Sequence, residues 1–115
     1  MIQPGEIYRA NFAEAGPRPI IVVSRESLNR GYYALVVVCT SAKFEVRSGL
    51  PNCVAFHAGE HGFTKNCVAQ CENLLSIEIN ALDIEAGPQG TLSENAFRRV
   101  ISAIGNVINS DCEPL

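Results

Sequence analysis

Two short segments carry side chains that suit chemistry on a phosphate group. The first is Pro17-Arg18-Pro19, in which an arginine stands between two prolines just before the apolar run Ile20–Val23. Flanking prolines stiffen the backbone and would hold the guanidinium in position before a ligand binds. The planar guanidinium, with five donors, suits phosphate oxygens. Taken alone, the segment fits a solvated loop arginine at least as well.

The second segment is Cys39-Thr40-Ser41, where two hydroxyls follow the apolar run Tyr32–Cys39. Groups at the end of a strand often bind ligands, but threonine and serine are also ordinary turn residues. The segment therefore favours a site only in combination with other evidence.

Cysteine and histidine spacing leaves a metal site open as an alternative. The residues concerned are Cys39, Cys53, His57, His61, Cys67, Cys71 and Cys112. Zinc accepts two histidines and two cysteines, which would be His57, His61, Cys67 and Cys71, with Cys53 nearby. The intervals, however, differ from the usual C-x-x-C spacing, and two cysteines four residues apart on a strand both point inward. We therefore expect buried, reduced thiols and no metal or other cofactor.

The pattern of apolar residues and turns predicts a mainly β (α+β) domain, with one helical turn and an amphipathic C-terminal helix. Ser24 is expected to cap the helical turn Arg25–Asn29, Ala34–Thr40 to be a central buried strand, and Ala58–Lys65 to be a loop. Ser93 is expected to begin the C-terminal helix. The other predicted strands are Glu6–Phe12, Ile20–Val23, Lys43–Val46, Cys53–His57, Asn66–Gln70 and Leu74–Ile77. The apolar stripe of the helix consists of Phe97, Val100, Ile101, Ile104, Val107 and Ile108.

Composition bounds the class of protein. The 115 residues, 47% hydrophobic and 18% charged, predict a single domain over residues 1–115. No run is long enough to span a membrane and no secretion signal is visible, so we expect a cytoplasmic protein. The net charge of −3 conceals an asymmetry: residues 1–47 carry six cations and four acids, and residues 48–115 carry three and eight. The N-terminal part could therefore still attract an anion.

Common enzymatic motifs, such as a phosphate-binding glycine loop or a nucleophile elbow, do not occur in the sequence. Four segments in order nevertheless resemble the MazF/PemK (Kid) toxin family. They are Pro4–Tyr8, Arg18–Ser24, Val36–Ser41 and Gly90–Ser93, the last leading into the helix. The resemblance extends from Pro4 to about Asn109.

The resemblance implies a small SH3-like β-barrel that forms a homodimer. Members of this family are mRNA interferases, which cleave single-stranded RNA and are neutralised by a cognate antitoxin. It also implies that Arg18 and Thr40 are catalytic, with Ser41 beside them in contact with RNA. In that mechanism the ribose 2′-hydroxyl attacks the phosphate without a metal, Arg18 stabilises the developing charge and Thr40 orients the phosphate.

Two features differ from many members of the family. The segment Ala13–Pro17 is shorter than their loop over the active site. Where some members have an arginine and an aspartate two residues apart on a late strand, this chain has Gln70 and Glu72. Both are expected to contact RNA, and Glu72 is the candidate general base, although a solvated surface acid explains it equally well.

A second hypothesis is a non-catalytic, partner-binding protein on the same fold. It could be a degenerate interferase or a gyrase poison like CcdB. Gyrase poisons of that type depend on a C-terminal tryptophan, and this chain has none.

Overall fold

A computed structural model of the chain describes residues 1–108. The six strands are β1 (Glu6–Phe12), β2 (Gly16–Val22), β3 (Tyr33–Thr40), β4 (Cys53–Phe56), β5 (Cys67–Glu78) and β6 (Gly90–Thr91). The three helices are α1 (Glu26–Asn29), α2 (Phe44–Arg47) and α3 (Glu94–Val107), with a short 3-10 turn at Ile79–Ala81. The predicted mainly β class with a C-terminal helix is confirmed.

The strands form one curled antiparallel sheet in the order β4-β5-β3-β2-β1-β6. β3 lies near the middle, and its residues Val36–Thr40 are all buried, as the apolar run predicted. In the β2–β3 ladder, Ile20 pairs with Val38 and Val22 with Val36. Side chains alternate along each strand, so one face of β3 carries Val36, Val38 and Thr40.

Both faces of the sheet are covered by apolar side chains. On one face, α3 packs through Ala96, Val100 and Ala103 over a core that contains Ile21, Val37 and Phe56. On the opposite face the curled sheet buries a second cluster, which includes Tyr8, Ile20, Val22, Val36 and Val38. The candidate site lies at one end of the sheet and is lined by residues of both clusters, among them Val38 on this face and Cys39 on the other.

Helix α3 begins as predicted, because the Ser93 hydroxyl accepts a hydrogen bond from the Ala96 backbone N–H at 3.2 Å. Its buried stripe is narrower than the sequence pattern suggested, since Ile101, Val107 and Ile108 are exposed. Val100 and the small residues Ala96 and Ala103 make the buried contact with the sheet, and Phe97 and Ile104 are partly buried beside them. No helix within residues 1–108 has the length and apolar character that crossing a bilayer requires.

The prediction of a strand at Lys43–Val46 is wrong. The segment forms the short helix α2, because Lys43 adopts a left-handed φ of 54° and the Arg47 and Ser48 N–H groups bond back to the carbonyls of Lys43 and Phe44 at 2.9 Å. Phe44 and Val46 alternate like strand residues, but β4 already occupies the edge of the sheet next to β5. The backbone therefore satisfies its hydrogen bonds locally.

Ser24 does not cap α1, whose N-cap position is Arg25 without a side-chain cap. The buried Ser24 hydroxyl instead hydrogen-bonds the Asn29 side chain and accepts from the Leu35 N–H at 2.9 Å. It thus ties α1 to the start of β3.

The two strands predicted at Asn66–Gln70 and Leu74–Ile77 are one continuous strand, β5. The sequence pattern breaks because the ladder with β3 is interrupted: Val38 pairs with Gln70, whereas the adjacent Val37 pairs with Leu74. Residues 71–73 therefore bulge out of register. A bulge changes which side chains face each side of the sheet, and this one lies beside the site.

Candidate active site

Arg18 and Thr40 meet because β2 and β3 are neighbours with a fixed register. Ile20 pairs with Val38, and continuing that antiparallel register by two residues on each strand places Arg18 opposite Thr40. Both residues lie on the same face as Ile20 and Val38, since the side-chain period of a strand is two. The chain therefore brings a guanidinium and a hydroxyl together at one end of the sheet.

Two adjoining cavities, both lined by Arg18 and Thr40, occupy this end. The larger, which we call the cleft, has a volume of about 460 Å³. Its polar lining consists of Arg18, Thr40, Arg47, Gln70 and Asn73. The other, which we call the small cavity, measures about 80 Å³. Its polar lining consists of Arg9, Arg18, Thr40, Ser41, Thr64 and Lys65.

The charge of this region differs from that of the whole chain. Four cations (Arg9, Arg18, Arg47 and Lys65) line the two cavities, and no carboxylate lines either of them. A chain with a net charge of −3 thus concentrates positive charge at one place. Such a surface attracts phosphate groups and raises their local concentration.

Thr40 is almost completely buried, at 7% exposure, and its hydroxyl has a defined role. The Thr40 Oγ1 accepts a hydrogen bond from the Ala42 backbone N–H at 3.2 Å. An accepting hydroxyl keeps its own proton available as a donor. Because Thr40 lines both cavities, that proton can be donated to an oxygen bound beside Arg18.

The loop from Ala58 to Lys65 walls the small cavity. It is tied to itself by the Gly59 N–H to Phe63 carbonyl bond at 2.8 Å and to the chain before β6 by Gln89, whose Nε2 donates to the Gly62 carbonyl at 3.1 Å. Gly62 and Gly90 cross so closely that a Cβ on either would collide with the other segment's backbone. Lys65, at the end of this loop, lines the small cavity together with Arg18.

The structure brings Ser41 and Gln70 to the site along with the proposed catalytic pair. Ser41 is exposed at the small cavity, and Gln70 is half-buried in the cleft. Glu72 lines neither cavity: its Oε1 accepts from the Asn52 side chain at 2.8 Å, on the side of β4. The β5 bulge is the physical reason, because it turns Asn73 instead of Glu72 into the cleft.

Sequence reasoning missed Arg9, Arg47, Lys65 and Asn73. Arg9 pairs with Pro19, next to Arg18, so alternation places the side chains of Arg9 and Arg18 on opposite faces of the sheet and gave no signal that both line one cavity. Arg47 reaches the site from α2, Lys65 from a loop and Asn73 from the β5 bulge. None of these three features leaves a regular pattern of apolar and polar residues in the sequence.

The proposed zinc ligands do not come together. Among residues 1–108 no group of three or more His, Cys, Asp or Glu side chains is arranged to hold a metal ion. His57 instead packs edge-on against Phe44, with ring centroids 5.7 Å apart, and His61 against Phe56 at 5.6 Å. This arrangement gives the zinc hypothesis no support.

The four described cysteines are free and buried. A hydrogen bond between the Cys39 and Cys67 thiols raises the pKa of Cys39 and lowers that of Cys67, and burial raises the pKa of Cys71 to about 11. Cys39 and Cys67 form part of the wall of the small cavity. The thiols are thus core residues that also border the site.

A family profile matches almost the whole of the described chain. The profile described as "PemK-like, MazF-like toxin of type II toxin-antitoxin system" matches residues 3–108. No sequence among curated proteins matches the chain.

Solved structures with the same fold include three informative neighbours. An endoribonuclease in complex with its cognate antitoxin from a Mycobacterial species superposes with a TM-score of 0.78 at 18% identity, covering 99% of this chain and 100% of that one. Mycobacterium tuberculosis toxin MazF-mt6 gives 0.75 at 22% identity, with 90% and 96% coverage. A MazE-MazF structure from Deinococcus radiodurans gives 0.71 at 17% identity, with 92% and 93% coverage. At these identities the likeness establishes the fold.

Proposed function

The chain belongs to the PemK-like, MazF-like toxin family of type II toxin–antitoxin systems, and from this premise we propose that it is a toxin that cleaves single-stranded RNA. The observation that carries the proposal is the convergence of Arg18 and Thr40 on one cleft, lined by cations and free of carboxylates. RNA is a polyanion, and a groove of this charge suits its backbone. The neighbour solved with its cognate antitoxin is itself an endoribonuclease, which supports the same activity here.

The proposed reaction is attack of a ribose 2′-hydroxyl on the adjacent phosphorus. The new bond joins the 2′-oxygen to phosphorus, the bond to the 5′-oxygen breaks, and the products are a 2′,3′-cyclic phosphate and a 5′-hydroxyl end. Arg18 stabilises the charge that develops on the non-bridging oxygens and donates a proton to the leaving 5′-oxygen, and it then regains a proton from water in the cleft. Thr40 donates its hydroxyl proton to a phosphate oxygen and fixes the direction of attack.

The proton of the 2′-hydroxyl needs an acceptor, and a guanidinium is a poor one. Neither cavity is lined by a carboxylate or a histidine. We therefore assign this proton to water in the cleft, and Glu72 has no role as general base in this scheme. The chemistry as written uses no metal ion.

Polar residues beside Arg18 and Thr40 are proposed to contact the rest of the RNA. Ser41 lies at the small cavity and Gln70 in the cleft, so each is proposed to bind the nucleotide on its own side of the scissile phosphate. An antitoxin with an acidic segment fits the same cation-lined surface and would exclude RNA. We further propose that the toxin is a homodimer and acts in the cytoplasm, where mRNA is found.

The proposal is tested by incubating purified protein with a long unstructured RNA in EDTA and mapping the new ends. We expect discrete cuts that leave 2′,3′-cyclic phosphate and 5′-hydroxyl termini. Arg18→Ala is expected to lower the cleavage rate by roughly 10²- to 10³-fold, the usual cost of losing a charge-stabilising donor. The substituted protein is purified in the same way and so also reports any contaminating nuclease.

Arg30→Ala is the matched control. Arg30 is an exposed arginine on the segment after α1, paired with Glu26 at 2.8 Å, and its loss changes the net charge by the same amount. It should cleave at the wild-type rate. A wild-type protein that leaves the RNA intact, or an Arg18→Ala protein that cleaves like wild type, would overturn the nuclease proposal and favour a non-catalytic partner-binding protein.

A further inference from the structure

A second arginine lines the cleft together with Arg18. Arg47 is the last residue of α2, the short helix that replaces the predicted strand, and it lines the cleft together with Arg18 and Thr40. It comes from a segment outside the sheet, so its position depends on the turn between β3 and α2. This is the only described arginine besides Arg18 in the lining of the cleft.

Arg47 is connected to the Thr40 hydroxyl through one backbone residue. Its Nη1 donates to the Ala42 carbonyl at 3.1 Å, and the Ala42 N–H donates to the Thr40 Oγ1 at 3.2 Å. Ala42 is therefore held from both sides, by a side chain on α2 and by the hydroxyl that ends β3. Moving Arg47 would release the turn that fixes the Thr40 hydroxyl.

Most of the hydrogen-bonding capacity of Arg47 remains unused by the protein. A guanidinium has five N–H donors, and the Ala42 carbonyl is the single hydrogen-bond acceptor that the described chain, residues 1–108, provides for it. No ion pair of that part of the chain involves Arg47. The side chain is half-buried, so part of its charge lies at the surface of the cleft.

We propose that Arg47 binds an RNA phosphate next to the scissile one and positions the Thr40 hydroxyl through Ala42. This inference rests on the proposed nuclease function. Two guanidiniums that line the same cleft as Thr40 would hold two consecutive phosphates of a single strand, with the attacked phosphate at Arg18. Because the Arg47 guanidinium is already held by the Ala42 carbonyl, it loses little conformational entropy when it also binds a phosphate oxygen.

The binding role is tested with an RNA oligonucleotide that spans a mapped cleavage site and carries a 2′-deoxy sugar at the attacking position. This probe binds but cannot react by 2′-hydroxyl attack. For Arg47→Gln we expect roughly tenfold weaker binding at low salt. We also expect a plot of log affinity against log salt that is shallower by about 0.7, the value for one lost phosphate contact on a single strand. Arg47→Lys keeps the charge and should keep the wild-type salt slope.

Arg30→Gln is the matched control for charge and should bind the probe as wild type does. If Arg47→Gln binds with wild-type affinity and slope, Arg47 makes no phosphate contact and this part of the inference fails. If the wild-type protein itself neither binds the probe nor cleaves the parent RNA, the proposed function has failed instead. The two failures are therefore distinguishable.

The positioning role is tested by kcat at saturating RNA in a double-mutant cycle. Arg47→Ala should lower kcat severalfold in the wild-type background. It should have little further effect on kcat in a Thr40→Val background, because the hydroxyl that it positions is already gone. Additive losses of kcat would show that Arg47 does not act through Thr40. A purely structural Arg47 would lower the melting temperature in both backgrounds without this dependence.

Discussion

The two ends of β3 carry different chemistry on the same sheet. The strand rises about 3.3 Å per residue, so its eight residues separate the two ends by about 23 Å. At the Thr40 end, two cavities are lined by cations and hydroxyls. At the Tyr33 end, a cavity of about 380 Å³ is lined by Tyr32, Tyr33, Glu78, Ile79 and Asn80, with one carboxylate and no cation.

The exposed fraction of the polar side chains also differs between the two ends of β3. Tyr32 is 86% and Tyr33 54% exposed, whereas Thr40 is 7% exposed. A hydroxyl that is buried and held by a backbone N–H has one orientation, but an exposed phenol has many. The cleft and the cavity at the Tyr33 end are thus similar in volume, and the two ends differ in charge and in how firmly their polar groups are held.

Among changes that compare the two ends of β3, the largest effect should come from removing the hydroxyl at the buried end. Thr40→Val keeps the shape of the side chain but removes the donor to the phosphate, and we expect RNA cleavage to fall by about 10²-fold, as for the loss of one preorganised donor. Thr40→Ser retains the hydroxyl and should restore most of the rate. Initial rates on the mapped RNA provide the measurement.

Tyr33→Phe is the equivalent change at the other end, since it also removes one hydroxyl from β3. It should leave the cleavage rate unchanged. Equal losses in Thr40→Val and Tyr33→Phe would show that the two ends do not differ in function. A circular-dichroism melt of each variant separates loss of fold from loss of chemistry.

The pairing of Arg18 and Thr40, which we propose to be catalytic, could be predicted from the sequence because it depends on regular structure and on a family resemblance. Glu6–Phe12 forms β1 as predicted, and β3 differs from Ala34–Thr40 by one residue. Once Ile20–Val23 and Ala34–Thr40 are taken as strands, their polar ends are expected at the edge of one sheet. The register that places Arg18 opposite Thr40 follows from the pairing of two apolar runs.

The rest of the site could not be predicted because it depends on departures from regular structure. α2 forms because a left-handed residue, Lys43, starts a local hydrogen-bonded turn. Lys65 is brought in by a loop that crosses another backbone segment at Gly62. Asn73 replaces Glu72 because the β5 ladder skips three residues. Each of these three features depends on tertiary contacts, which the alternation of apolar and polar residues along the sequence does not predict.

A smaller effect should follow from placing a negative charge in the cleft. Asn73→Asp introduces a carboxylate into a lining that has none, and at an effective dielectric constant of about 20 its repulsion of an RNA phosphate about 10 Å away amounts to about 1.7 kcal/mol before screening by salt. We expect roughly tenfold weaker binding of the uncleavable RNA probe. Asn80→Asp, at the Tyr33 end, makes the same change in the other cavity and should bind RNA as wild type does. Equal weakening by both substitutions would mean that net charge, and not the cleft, governs binding.

The smallest effect should come from replacing Glu72. This substitution tests whether the bulge in β5 keeps Glu72 out of the cleft, as the structure shows, or whether regular alternation places Glu72 inside it. If β5 ran without a bulge, Glu72 would share the face of Gln70 and would be the nearest acid to the attacked phosphate. In the structure it bonds Asn52, outside both cavities. Glu72→Gln should therefore keep the cleavage rate within about twofold and leave the pH–rate profile unshifted, since no proton transfer depends on it. A loss of cleavage rate of 10²-fold or more, together with loss of the increase in rate that a general base causes as pH rises, would make Glu72 the general base. In that case β5 would have to turn Glu72 into the cleft when RNA binds.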